Sequence, residues 1–306
     1  MKPFRIRPKT GPPLRFFAMN PSIVVLANLL EAAEKCARYA AVLAAPLPAH
    51  VALLHCYHDP VLLVPELAVV MAAQTDRNYA DTAAGMTALA QRLPGTTEVV
   101  LSALPLADAV AETVQRYHPL LLAMGLSPEH DFLDELLHNQ VLPVLRATHQ
   151  PLLLVPEAAP APLVPRRVLL ALDVEPFKLN KAAEKLAPLL AAWQAAYTVT
   201  HVVDGREPVT PPRRLALADV RARGVVPPDA PLWLYQEPDA TAADGILQAL
   251  ADTQADVVVL IARPRSFLGR RFHHSVTADV LRRSPVPVLL VPAEAPDVPD
   301  WMPAMS

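Results

Sequence analysis

The feature that most constrains this chain is an internal repeat. Residues 144–156 read VLRATHQPLLLVP, and residues 280–292 read VLRRSPVPVLLVP, at a constant offset of 136 residues. The tetrapeptide AAEK occurs at 32–35 and again at 182–185, and a histidine follows near a strand end in each half, His55 and His201. Because three features recur in the same order, the pattern indicates a duplication, and the chain should contain two copies of one structural unit.

Each copy alternates short apolar runs with helical stretches. The apolar runs lie at 23–27, 51–57, 98–103, 120–125 and 152–155 in the first copy, and at 168–173, 197–203, 232–235, 256–262 and 288–291 in the second. Runs this uniformly apolar are typical of strands buried on both faces, which indicates a parallel sheet covered by helices. With right-handed crossovers, each copy becomes a doubly wound α/β unit with a five-stranded parallel sheet of its own.

The boundary between the copies is a proline-rich stretch, EAAPAPLVP at 157–165. A stiff, short linker favours two domains held against one another. We therefore expect a basic extension at 1–21, a first domain at 22–157 and a second domain at 166–306. The extension is interpreted as a flexible tail rather than a binding arm.

Composition excludes several classes of protein. Apolar residues make up 53% of the chain and charged residues 19%, which argues against disorder, and a net charge of −3 gives no reason to expect a nucleic-acid partner. Apolar runs are too short to cross a membrane, and the first residues lack the apolar core of an export signal. The only two cysteines fit a reducing compartment, so the expected location is the cytoplasm.

The segment HSVTADVLRRSPVPVLLVP at 274–292 resembles the closing segment of the universal stress protein family. In that family a hydroxyl residue opens the last helix before a Pro-Val-Leu strand, and the resemblance extends over both halves from about residue 22. It implies two tandem doubly wound domains with strand order 3-2-1-4-5, as in the adenine-nucleotide alpha-hydrolase-like fold. It also implies that the closing strands at 152–155 and 288–291 pair within the chain, forming an intramolecular pseudo-dimer. Association of two chains is left open.

Nucleotide-binding members of the family carry a glycine motif after the fourth strand: Gly, two residues, Gly, nine residues, Gly, then Ser or Thr. Such glycines let the backbone approach phosphates, while an aspartate ending the first strand holds the sugar or base. In the first half, the motif positions hold Gly125, Pro128, His138 and Asn139, and the aspartate position holds Asn28. The resemblance therefore predicts that the first half does not bind ATP.

In the second half, the three glycine positions hold Ile261, Pro264 and His274. Proline removes a backbone N–H, and histidine places a ring where a phosphate would lie close to the backbone. ATP binding in the second half is therefore expected to be absent or weak, and no cofactor is firmly predicted.

Five residues remain as candidates for nucleotide binding in the second half. Asp173, Ser275 and Thr277 match the aspartate and hydroxyl positions of the family motif, and Arg263 and Arg265 flank the altered loop. Arginines could hold phosphates by charge, although a solvated basic loop is the preferred interpretation. The alternative to a degenerate stress protein is thus an ATP or AMP sensor that uses the second half.

Catalytic and metal sites are disfavoured. His55 points away from Cys56 and His58 on a strand, so a structural histidine and a buried cysteine are preferred to a metal site. Ser275 is interpreted as a helix cap rather than a nucleophile. An enzyme on the same fold is the third hypothesis, but no acid, base and nucleophile set converges in the sequence. We therefore expect a non-enzymatic protein of the stress response.

Overall fold

The computed structural model describes residues 21–27, 30–57, 68–126, 141–172, 177–201, 217, 220–235, 241–262 and 276–294. The first half contains five strands and four helices in the described residues: β1 Ser22–Leu26, α1 Leu30–Ala44, β2 His50–Cys56, α2 Ala68–Arg92, β3 Thr97–Ser102, α3 Leu106–Tyr117, β4 Leu121–Leu126, α4 Leu142–Thr148 and β5 Leu152–Pro156.

The second half repeats this alternation with one additional strand. Its elements are β6 Arg167–Leu172, β7 Lys178–Leu179, α5 Lys181–Glu184, α6 Ala187–Ala192, β8 Ala196–His201, β9 Leu232–Tyr235, α7 Ala242–Thr253, β10 Val257–Ala262, α8 Val276–Arg283 and β11 Val288–Glu294. The strands predicted from apolar runs are therefore all present. No helix in the described part of the chain is long and apolar enough to cross a membrane.

The strands form one sheet in the order β3-β2-β1-β4-β5-β11-β10-β6-β8-β9, with β7 paired to β11 outside this path. Each half has the predicted parallel order 3-2-1-4-5. The predicted pairing of the closing strands is also confirmed, because β5 and β11 run antiparallel with Leu153 opposite Leu289. The expectation that each half keeps a separate sheet is wrong, since this pairing satisfies both apolar edges and joins the halves into one continuous sheet.

The two halves keep the same strand register, so their residues can be compared position by position. Gly125 of β4 lies opposite Val155 of β5, and Ile261 of β10 lies opposite Val291 of β11. Helices cover both faces of the sheet. One apolar core lies under α1, α2, α5 and α6, and a second lies under α3, α4, α7 and α8. The central strands are buried on both faces, as expected for a doubly wound sheet.

The helix that follows the first strand differs between the halves. In the first half it is the continuous α1 of 15 residues. In the second half its place is taken by the short helices α5 and α6, and Pro188 occupies the first turn of α6. The alternating pattern of the sequence predicts a single helix here and does not indicate β7, whose Leu179 pairs with Ala293. Since proline has no N–H to donate to the preceding turn, it begins a new helix instead of continuing the old one.

The linker packs on the first half rather than extending into solvent. The Tyr39 hydroxyl donates to the Pro160 carbonyl at 2.6 Å, and the Lys35 amine donates to the Glu157 carbonyl. Ala159 is buried. Burial, followed by the charge of Asp256, raises the pKa of Tyr39 to about 12, so its hydroxyl keeps its proton and remains a donor at neutral pH.

Two further hydrogen bonds join the halves directly. The Trp193 indole N–H donates to the Leu43 carbonyl at 3.1 Å, and the Asn180 amide donates to the His149 carbonyl at 2.9 Å. Asn180 also caps α5, because its side-chain oxygen accepts from the backbone N–H of Ala183 at 2.8 Å. The halves are thus held together by the sheet, the helices and the linker.

Candidate functional site

Strand order places a candidate site in each half. In an open parallel sheet, ligands bind at the carboxyl ends of the strands where the strand order reverses. This point lies between β1 and β4 in the first half and between β6 and β10 in the second. We refer to these two places as the first and second crevices.

In the first crevice, Gly125 near the end of β4 is used for helix packing. A Cβ atom built at this glycine would lie 2.6 Å from the carbonyl oxygen and 2.9 Å from the Cβ of Ala32 in α1. The space left by the missing side chain is therefore filled by the backbone of α1. The first glycine of the family motif is present in this half, but its open side receives a helix and offers no room for a phosphate.

His55 fastens the end of β2 to the end of β1 beside the first crevice. Its Nδ1 lies 2.6 Å from the carbonyl oxygen of Ala27. A carbonyl oxygen only accepts hydrogen bonds, so Nδ1 carries the hydrogen and donates it. This bond supports the interpretation of His55 as a structural residue. His201 occupies the matching register in the second half, opposite Leu172. The recurrence of a histidine in both halves is one of the sequence signals for the duplication.

In the second crevice, Ile261 stands where the first half has Gly125. Its side chain is partly buried and packs against the core under α5 and α6. A branched side chain at this position prevents the close helix approach seen in the first half. It also removes the bare backbone that a phosphate cradle needs.

Most of the predicted nucleotide contacts lie outside the described residues. This applies to Asp173, Arg263, Arg265 and Ser275 among the candidates, and to the motif positions Asn28, Pro128, His138, Asn139, Pro264 and His274. Thr277 is described: it lies in the first turn of α8 and is partly buried, next to Val276, which is 39% exposed. In the sequence, Asp173 follows the last residue of β6 and Arg263 follows the last residue of β10, and these two strands are neighbours in the sheet.

The arginines at the end of α8 are engaged away from the crevice. Arg283 contacts Asp244 of α7 at 2.6 Å, and Arg282 contacts Asp279 at 2.9 Å. Hydrogen bonds from Thr241 and Arg283 lower the pKa of the Asp244 carboxyl. The Arg283–Asp244 contact joins α8, the helix that carries Thr277, to α7, whereas the Arg282–Asp279 contact lies within α8.

Arg223 also has a defined structural role, which no pattern in the sequence indicates. Its guanidinium donates to the Phe177 carbonyl at 2.7 Å and lies 4.6 Å from the centroid of the Phe177 ring. Phe177 is buried and directly precedes β7. Arg223 therefore contacts both the carbonyl and the aromatic ring of Phe177, the residue next to β7.

Cys36 and Cys56 are buried, unpaired thiols. Burial raises the pKa of both, so they are protonated at neutral pH and are poor nucleophiles. Within the described residues, no group of three or more His, Cys, Asp or Glu side chains is placed to hold a metal ion. His58, the third member of the cluster considered from the sequence, lies outside them.

A groove of about 490 Å³ lies at the opposite end of the first half. It is bordered by Thr87 and Gln91 of α2, by Gly95, and by Thr97 and Val99 of β3. Because Thr97 is the first residue of β3, this groove opens at the amino end of the strands and is separate from both crevices.

Comparison with known proteins agrees with this architecture. Residues 239–292 match the family model described as "Universal stress protein family". A comparison of the sequence with curated proteins finds no match. A universal stress protein from Archaeoglobus fulgidus superposes with a TM-score of 0.59 at 18% identity, over 89% of this chain and 96% of that one.

A putative universal stress protein from Pseudomonas aeruginosa gives a TM-score of 0.49 at 18% identity, over 90% of this chain and 94% of that one. The sequence match lies on α7, β10, α8 and β11, the part of the second half that frames the second crevice. The segment at 239–292 is thus similar in sequence to the universal stress protein family, and the whole chain shares the fold of the Archaeoglobus fulgidus protein.

Proposed function

We propose that this protein is a non-enzymatic, cytoplasmic component of a stress response, with degenerate nucleotide-binding loops in both halves. The two halves act as domains at 22–157 and 166–306, preceded by a basic extension at 1–21. The observation that carries the proposal is the contact between Gly125 and Ala32. It supports the proposal because the one motif glycine kept in the chain packs against the backbone of α1.

The energetic argument rests on backbone donors. A phosphate in such a loop is held by N–H groups at glycine positions and at a helix start. Each unmade bond of this kind costs about 1–3 kcal/mol, so several losses together remove most of the useful affinity. Partly buried Ile261 and the prolines at 128 and 264 act in the same direction. We therefore expect the protein to work through contacts with other proteins rather than through a bound nucleotide.

Calorimetric titration with ATP and Mg²⁺ tests this proposal. We expect no measurable heat of binding at micromolar nucleotide, and no nucleotide in the natively purified protein by mass spectrometry. The variant Asp173→Ala should behave like the unchanged chain, and Asp229→Ala is the matched control at an exposed aspartate far from the crevices in sequence. Micromolar binding that Asp173→Ala abolishes and Asp229→Ala preserves would contradict the proposal.

The second candidate is an ATP or AMP sensor that uses the second half. It is favoured by the placement of Thr277 in the first turn of α8, because the N-terminus of a helix attracts anions. Asp173, Ser275, Arg263 and Arg265 would complete such a site. Binding that is lost in a joint Arg263→Ala and Arg265→Ala variant would identify a charge-based substitute for the glycine cradle and would establish the sensor.

Catalysis is not part of the proposal. In the described residues the cysteines are buried thiols with raised pKa. His55 uses one ring nitrogen to hold a backbone carbonyl. These groups have structural roles, and none of them is paired as a nucleophile and base.

A further inference from the structure

The two edge strands of the sheet, β3 and β9, carry different kinds of side chain. At one end, β3 carries Glu98, which forms an ion pair with Arg116 of α3 at 3.2 Å. At the other end, the position with the same register in β9 is Trp233. Trp233 is 55% exposed, the most exposed large apolar side chain in the described part of the chain. A charged residue protects an edge strand from pairing with other chains, whereas an apolar edge invites pairing.

The backbone of β9 has a short row of outward-facing groups. The Tyr197 N–H donates to the Pro231 carbonyl at 2.8 Å, and Tyr197 lies opposite Leu232 in the parallel ladder with β8. In a parallel ladder with this register, the backbone N–H groups of residues 233 and 235 point toward β8. The backbone N–H and C=O groups of Leu232 and Leu234 therefore point away from the sheet. Pro231 has no N–H and ends the row.

The side chains of β9 divide between the two faces. Leu232 and Leu234 pack against the core under α5 and α6. Trp233 and Tyr235 alternate with them and lie on the face of α7, where the Tyr235 hydroxyl donates to Asp252 at 2.5 Å. No residue of β9 is charged. A partner strand that fits this edge is short and uncharged, with an aromatic residue on one face and leucines on the other.

We propose that a second copy of this chain occupies the edge, with β9 pairing antiparallel to β9 about a two-fold axis at Trp233. The axis is perpendicular to the sheet, so equivalent faces of the two copies stay on the same side. Leu232 of each copy then lies opposite Leu234 of the other, which gives two such pairs. Each such pair exchanges two hydrogen bonds, which uses every outward group of Leu232 and Leu234. Trp233 meets Trp233 of the second copy at the position between hydrogen-bonded pairs, where opposing side chains are closest.

Two features of the chain favour a second copy over another partner. Self-pairing of β9 brings no like charges together, whereas self-pairing of β3 would place Glu98 beside Glu98. The chain also already extends its sheet in this manner, since β5 and β11 pair antiparallel across the junction of the halves. Dimerisation through β9 would continue the same sheet across a second two-fold axis.

Sedimentation velocity of the full chain over a range of micromolar concentrations tests the proposal. The unchanged protein is expected to shift from monomer to dimer as its concentration rises. Trp233→Glu should raise the dimer dissociation constant by at least about tenfold, because two carboxylates would face each other at the axis. Leu104→Glu is the matched control: it replaces another exposed apolar residue, 43% exposed, two residues after the end of β3. It should leave the dimer unchanged.

Hydrogen exchange on the unchanged protein gives an independent measurement that needs no variant. The amides of Leu232 and Leu234 should exchange more slowly at high than at low protein concentration, and those of the β3 edge should not change. A monomer at every concentration would overturn the proposal, and so would a dimer that persists in Trp233→Glu. Loss of association on removing residues 1–20, with no effect of Trp233→Glu, would assign the contact to the N-terminal segment instead.

Discussion

The two halves share a sheet but differ in the layer above it. In the first half, α1 lies against Gly125 so closely that any side chain there would meet the backbone of Ala32. In the second half, Ile261 holds this position, and the helix is split into α5 and α6. After duplication, the ladder hydrogen bonds kept the strand register, because a slip would move every side chain to the wrong face. The helices have no such constraint, so their position and continuity depend on the size of the residues on the strand beneath them.

The same contrast applies to the outer edges. Glu98 and Arg116 give β3 a charged edge, and Trp233 gives β9 an apolar one. One copy of the unit thus kept its outer edge protected, while the other exposed it. Differences of this kind show which parts of a duplicated fold are free to take on new contacts.

The largest expected effect tests whether the halves are coupled. Leu43 and Trp193 lie at matching positions, eight residues after the repeated AAEK, and they meet across the junction through the indole N–H. Because Trp193 is almost fully buried, Trp193→Ala should lower the free energy of unfolding by about 3–5 kcal/mol. Trp193→Phe keeps a smaller aromatic ring and loses the hydrogen bond to Leu43, so a smaller loss of about 1–3 kcal/mol is expected. Urea denaturation measures both. Equal losses in the two variants would mean that packing at this junction contributes little.

The next effect tests the difference between Gly125 and Ile261. Gly125→Ile forces a side chain into the backbone of Ala32 and should destabilise the protein by about 3 kcal/mol, near the upper end for overpacking. Ile261→Val is the matched control in the second half, where about 1 kcal/mol is expected because one methylene is removed. Thermal unfolding monitored by circular dichroism measures both. A Gly125→Ile variant as stable as the control would show that α1 can move away from β4, and the proposed reason for the glycine would fail.

The smallest effect concerns the titration of His50 in β2, a position that holds an alanine in the second half. Burial lowers the pKa of His50, opposed by the charge of Glu98, and the ring centroid of Tyr117 lies 5.7 Å from that of His50. Arg116, which pairs with Glu98, is the cation nearby. The matching position in the second half is Ala196, which does not titrate.

The sign of this pH dependence follows from the lowered pKa. Below about pH 6.5 the unfolded chain takes up a proton at His50 before the folded chain does, so stability falls as the pH drops through this range. His50→Gln should remove part of that slope. His118→Asn is the control: His118 is exposed and has a positive φ of 46°, which asparagine tolerates. An unchanged slope in His50→Gln would assign the dependence to other groups.

Local patterns in the sequence predicted much of the fold. Uniformly apolar runs gave the strands of both halves, and the LWLY run became β9 with the predicted bounds. The repeated closing segment predicted the pairing of β5 with β11. Prediction failed at β7 and at the break between α5 and α6, since a two-residue strand has no periodicity of its own. For the crevices, the sequence pointed to altered motif positions, while the packing of α1 on Gly125 was not readable from it.

The sequence by itself determined the duplication, the order of strands and helices, and the residue types at each motif position, because these depend on composition and on periods of a few residues. Only the tertiary structure decided that the two sheets are one, that the glycine at 125 receives a helix, and that Trp193 reaches Leu43 from 150 residues away. It also decided which edge is left apolar. The physical reason is that burial, hydrogen-bond partners and steric fit are properties of pairs of residues distant in sequence, and a local pattern carries no record of which distant residue becomes the neighbour.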